Sequence, residues 1–111
     1  MQPTANTEAD RAFEVAPEIR HTVPWRVTSV VVLPDARLEV TFVDGSSGKV
    51  YMQEFLSSRK VEGTVFEPLR DHDVFVAARV VMGAVQWPNG ADLAPDAMYD
   101  AIHESGIWVL D

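Results

Sequence analysis

Three histidines and seventeen carboxylates are the side chains in this sequence that could move a proton or hold a metal. Asp71-His72-Asp73 puts an imidazole between two carboxylates, the raw material of a steered general base or a metal-ligand pair. Consecutive residues at a helix start point in different directions, so the three do not converge, and a solvated histidine beside a helix cap is the simpler reading. Asp100 and His103 stand three apart on one helical side, a spacing that metals use, but no third ligand is near. A surface hydrogen bond is expected there instead. The sequence contains no cysteine, which removes thiolate chemistry and disulfides together. It also lacks a Ser-His-Asp set, a Gly-rich phosphate loop, a nucleophile elbow and a zinc-protease helix motif. The reading is of a protein that is not an enzyme, with no catalytic residue, no metal and no cofactor.

Two residues at one corner are of more interest. Asp92 follows a turn glycine and precedes a helix, where it would accept from loop or helix N–H groups, or else contact a ligand. Trp87 either plugs the core end of a strand or lines a groove, and its large apolar area favours the plug. The corner is built by Trp87-Pro88-Asn89-Gly90: Pro88 and Asn89 suit the centre of a β-turn, and Pro95 suits the first turn of the following helix.

These side chains need a scaffold, and 111 residues with 47% hydrophobic content supply one domain with a modest core. Residues 1–23 show no sustained periodicity and are interrupted by prolines, so they read as a mobile N-terminal leader with, at most, a helical turn around Asp10 to Val15. Residues 24–111 read as a single α+β domain with an apolar C-terminal tail. Arg26 to Leu33 is β-branched. Leu38, Val40 and Phe42 alternate with Arg37, Glu39 and Thr41, and Val50 and Met52 point opposite to Tyr51. With turns at Pro34-Asp35 and Asp44 to Gly48, these form a three-stranded antiparallel meander. Phe55 and Leu56 open a short helix that ends near Gly63, and Asp71 caps the next turn on the N–H of Asp73 or Val74. Val80-Val81 and Ala84-Val85 flank Met82-Gly83 as a hairpin, bringing the small antiparallel β-meander sheet to about five strands. A closing helix runs from Pro95 to about Glu104 with Met98, Ala101 and Ile102 inward. Gly106 then releases Ile107-Trp108-Val109-Leu110, which must tuck onto the sheet or meet another chain.

Phe66-Glu67-Pro68-Leu69-Arg70-Asp71 and the box Trp87-Pro88-Asn89-Gly90-Ala91-Asp92-Leu93 together resemble a family of short bacterial domains, domain of unknown function 2442. The resemblance spans Trp25 to about Ile102. One departure is Ala94, where the pattern would have a hydroxyl residue capping the helix. The resemblance implies a β-rich half leading through the Pro-Leu-x-Asp step and the Trp-Pro box to a closing helix. It further implies a bacterial cytoplasmic protein. Some relatives carry a helix-turn-helix segment, for which this chain has no room after Ile102, and some are antitoxin-like partners of a small neighbour-encoded protein.

The net charge is −8, and no Lys or Arg follows Arg79, whereas Asp92, Asp96, Asp100, Glu104 and Asp111 crowd the end. That distribution opposes direct nucleic-acid binding and favours a basic protein partner. Asp96, Asp100 and Glu104 fall four apart, forming one outward stripe whose mutual repulsion costs a few tenths of a kcal/mol per pair. Asp96, near the N-terminus, is partly compensated by the helix dipole, and the stripe is tolerated rather than stabilising. No apolar run approaches about 18 residues, so no membrane span is expected. The function expected is a non-catalytic protein-interaction module, antitoxin-like, with contacts from Trp87, Asp92, Asp96, Asp100, Glu104, Ile107, Trp108 and Leu110. The alternative is a small-molecule binder or weak enzyme with a groove at the Trp87-Asp92 corner. Homo-oligomers through a strand edge or the tail are compatible with either.

Overall fold

A computed structural model describes residues 23–111, so the expected leader up to residue 22, with the helical turn expected around Asp10 to Val15, lies outside the described residues. The elements are β1 (Val27–Leu33), β2 (Arg37–Phe42), β3 (Ser47–Tyr51), α1 (Gln53–Ser57), α2 (His72–Phe75), β4 (Arg79–Val81), β5 (Ala84–Gln86), α3 (Pro95–Ser105) and β6 (Ile107–Val109). Short 3-10 turns at Arg59–Val61 and Glu67–Arg70 link α1 to α2.

The meander forms as its alternation requires. Leu38 pairs with Val32 and Val50, and Val40 with Val30, which lines the apolar side chains of three strands on one face. Leu38, Val40 and Val50 are fully buried there. α1, α2 and α3 send Leu56, Phe75, Met98 and Ile102 into that same core, leaving the other sheet face to solvent.

The expectation of one five-stranded sheet needs correction. β4 and β5 form a separate two-stranded sheet, whose turn residues Met82 and Gly83 both have positive φ, the twist that a two-residue hairpin needs. That hairpin packs at the start of β1, where Val27 N–H donates to the Gly83 carbonyl at 2.9 Å. The main sheet has the order β1-β2-β3-β6, and its fourth strand is the apolar tail, running parallel to β3 with Val50 opposite Trp108. Four residues of apolar tail gain more from completing the sheet than from solvent.

The turn after β2 is also shorter than expected. Gly48 belongs to β3 rather than to the turn. Its missing side chain makes room for α3, since a Cβ there would meet Ile102 Cγ2 at 2.5 Å and the Gly106 carbonyl at 2.7 Å. Close helix-on-strand packing is what selects glycine at this position.

The Trp-Pro corner folds as its composition predicts. Gly90 N–H donates to the Trp87 carbonyl at 3.0 Å, and Trp87 N–H to the Ala91 carbonyl at 2.8 Å. Asn89 holds the loop from both sides, donating to the Val65 carbonyl and accepting from Ala91 N–H. Asp71 caps α2 through the N–H of Asp73 at 2.9 Å.

Candidate functional site: the outward side of the closing helix

Pro95 occupies the first turn of α3, and Ala94 gives it no side-chain cap. Asp96 stands in for one, accepting from Ala97 N–H at 2.9 Å at the positive end of the helix dipole. Gly106 closes the helix in the left-handed conformation and donates to the Ile102 carbonyl. Met98 and Ile102 face the core, so the helical period turns Asp96, Asp100 and Glu104 outward, and all three are exposed. Among the described residues the ion pairs involve Arg70 and His103, and none reaches that stripe.

On the flank of α3 lies a polar cluster that the sequence reading missed. Asp44, in the β2–β3 turn, accepts from Ser46 Oγ at 2.6 Å and from Ser46 N–H at 2.9 Å through Oδ1. Its Oδ2 accepts from the Tyr99 hydroxyl at 2.7 Å. His103 Nε2 lies 3.1 Å from Ser46 Oγ and 3.8 Å from Asp44 Oδ2, and its ring lies against that of Tyr99 with centroids 3.9 Å apart. The Ser46 proton is directed to Asp44 rather than to the imidazole. The hydroxyl is therefore held as a bridge between turn and helix, an arrangement different from a nucleophile and its base. Asp100 is not the partner of His103; the ring turns to the β2–β3 turn instead. The signal was available in Asp44-Gly45-Ser46, an Asx-turn pattern, and in Tyr99 and His103 at four-residue spacing.

This cluster makes stability depend on pH. The Ser46 hydroxyl and N–H, the Tyr99 hydroxyl and the nearby His103 hold the Asp44 carboxyl down at about 2, against an ordinary value of 3.8. A carboxyl lowered on folding stabilises the fold fully above its unfolded value and loses that contribution as pH falls through its folded one. Thermal stability is therefore expected to fall between about pH 4 and pH 2 more steeply in the natural chain than in Asp44→Asn. Parallel slopes in the two proteins would contradict the assignment. Tyr99 is shifted up, chiefly because its hydroxyl donates to Asp44, so its contribution disappears on the alkaline side.

The other expected contact residues divide between core and surface. Trp87 has no exposed surface, and its Nε1–H donates to the Phe75 carbonyl at 2.9 Å. It is a core plug and offers nothing for a partner or a groove to touch. Trp108 and Leu110 are half-buried against the core, whereas Ile107 and Val109 of the same strand face out at 38% and 47% exposure. Val109 was absent from the expected set; strand alternation assigns it outward once Trp108 is inward. Asp92 is exposed and bridges Gln86 through the backbone, and no side-chain hydrogen bond of Asp92 is found among the described residues.

Two clefts among the described residues lie away from the Trp87-Asp92 corner. One, of about 430 Å³, is floored by Leu56, Leu69 and Phe75 and rimmed by Asp35, Arg70 and His72. Arg70 is already committed there, donating to the carbonyls of Leu56 and Ser58 at 2.5 and 3.0 Å. Another, of about 460 Å³, is bounded by Tyr51, Gln53, Glu54, Ser57 and Val109. Among the described residues no group of three or more His, Asp or Glu side chains is placed to hold a metal ion, and no helix is long and apolar enough to cross a membrane.

The model of a family described as protein of unknown function (DUF2442) matches residues 27–104, from the first residue of β1 into the last turn of α3. The chain belongs to this family. The DUF2442 match covers the meander, the hairpin, the Trp-Pro corner and the acidic helix, and it stops short of β6. Neither the curated proteins nor the solved structures provide a match to the chain.

Proposed function

We propose that this DUF2442 domain is a non-catalytic protein-interaction module of the bacterial cytoplasm that binds a basic protein through the outward side of α3. The observation that carries this reading is the stripe of Asp96, Asp100 and Glu104, exposed and unpaired among the described residues, in a chain with no Lys or Arg after Arg79. Like charges four apart along one helix repel in the free protein, a cost that the helix dipole offsets only at Asp96, and a cationic surface converts that repulsion into attraction. Antitoxin-like neutralisation of a small neighbour-encoded protein is the form of this function that the family resemblance favours.

The test is co-expression with the genes on either side, followed by capture at low salt. A small basic protein is expected to co-purify and to be released as salt is raised, because exposed charge pairs are screened. Reversing the two stripe residues that take no part in capping, by Asp100→Lys and Glu104→Lys, is expected to slow association about tenfold or more while leaving the fold intact. Recovery of no neighbouring product, or retention unaffected by the reversal, would remove the proposal.

A further inference from the structure

We propose that β6 is a strand-addition site, at which the open edge of the main sheet takes an extended basic segment of the partner. The proposal rests on the interaction reading above and names where and how the partner is held. Among the described residues, β6 ends the sheet order and pairs on one side only, with β3. Gly106 and Leu110 bond to β3 through Lys49 N–H and the Tyr51 carbonyl, and Trp108 lies opposite Val50. Because N–H and C=O of one residue point the same way and alternate along a strand, those of Ile107 and Val109 face away from the sheet. The Ile107 carbonyl is reached by the Ser105 hydroxyl at 3.1 Å, an interaction that an incoming N–H could replace. Among the described residues that leaves both N–H groups and the Val109 carbonyl as a short unpaired template, with the Ile107 and Val109 side chains exposed on the solvent face, where they would lie beside those of an added strand.

Charge selects the occupant. Glu104 precedes the edge and Asp111 follows it, while Glu54 stands in the cleft that Val109 bounds. Two lysines are near: Lys49 lies beside Ile107 on β3, and Lys60 is spent on the Asp111 carbonyl at 2.6 Å. A second copy would bring its own net charge of −8 and set acidic flanks against acidic flanks, whereas a segment alternating basic and apolar residues meets complementary charge and the apolar side chains together. The opposite edge of the sheet is less open, since the β4–β5 hairpin bonds to the start of β1.

The probe is a ten-residue peptide alternating lysine and valine, with a glutamate–valine peptide as control, followed by amide hydrogen exchange on the full chain. Binding of the lysine peptide is expected to slow exchange at Ile107 and Val109 while leaving Trp108 and Leu110 unchanged. Val109→Pro removes one edge donor at a position where proline is tolerated, and it is expected to weaken binding about tenfold. No binding, protection confined to α3, equal binding of the glutamate peptide or a self-associating free protein each overturns the inference. The exchange pattern decides the matter on the natural chain even if Val109→Pro is unstable. Should the neighbouring basic protein still be captured in a stripe-dependent way by Val109→Pro at natural affinity, the edge fails and the interaction reading stands. If the neighbour is not captured by the natural chain, the interaction reading fails by itself.

Discussion

Replacing Trp87 with alanine is expected to lower the free energy of unfolding by about 4 kcal/mol, a large share of what a domain of this size possesses. The indole is completely enclosed, packs on Phe75 at a centroid distance of 5.8 Å, and ties the end of β5 to α2 through its bond to the Phe75 carbonyl. Alanine would leave a cavity in the core and take away the indole donor of the Phe75 carbonyl, which keeps only the Ala78 N–H at 3.3 Å. Trp87→Phe separates the two effects: most of the apolar area returns, and only the indole hydrogen bond is lost, at about 1 kcal/mol. Urea denaturation of the three proteins reads the difference directly. A Trp87→Ala protein as stable as the natural chain would return this residue to the surface and revive a groove at the corner.

Gly48→Ala is the second large effect, expected at about 3 kcal/mol of destabilisation from a single added methyl. One of its contacts is with Ile102 Cγ2 and Cγ1, β-branched atoms held close to the helix backbone in the core, and the other is the Gly106 carbonyl, fixed by the helix terminus. The strain therefore falls on the docking of α3 against β3 rather than on local backbone preference, because Gly48 does not need a positive φ. Pairing the change with Ile102→Ala relieves one of the two contacts. The double variant should accordingly lose less than the sum of the separate losses, as for neighbours that share one space. Simple additivity in thermal or urea unfolding would contradict this account.

Much of the frame was legible because its signals are local. The alternation in Leu38, Val40 and Phe42, the cap by Asp71, the hairpin at Met82-Gly83, the Trp-Pro turn and the glycine stop at Gly106 each depend on residues within a few positions of one another. What the sequence hid were meetings between distant segments. Nothing near Gly48 states that a helix fifty residues later will lie across it, so it reads as one more turn glycine. The tail was recognised as apolar, but its period over so few residues does not reveal whether it pairs, with which strand, or in which direction. The same limit applied at the site. Asp100 and His103 were adjacent on one helix and invited pairing, yet the ring found Ser46 across the fold, and Tyr99 joined it there. Exposure of the acidic stripe followed from helical spacing alone, whereas the division of the tail into inward Trp108 and outward Val109 had to await the sheet.

The parallel pairing of β3 with β6 also sets an order of events. Lys49 and Ile107 are separated by nearly the whole crossover of helices and hairpin, so their ladder carries one of the largest loop-closure costs in the molecule and rewards the chain late in folding. The meander can assemble without it. By the same reasoning β6 is the piece that peels away most cheaply, in a local opening that leaves the rest of the core standing. Each such excursion uncovers Trp108 and bares the flank of β3, turning a protected interior strand for a moment into sticky, aggregation-prone rim. A ligand that clamped the last strand would suppress those excursions, so its presence would register as resistance to proteolysis and clumping well before any change in the global melting temperature.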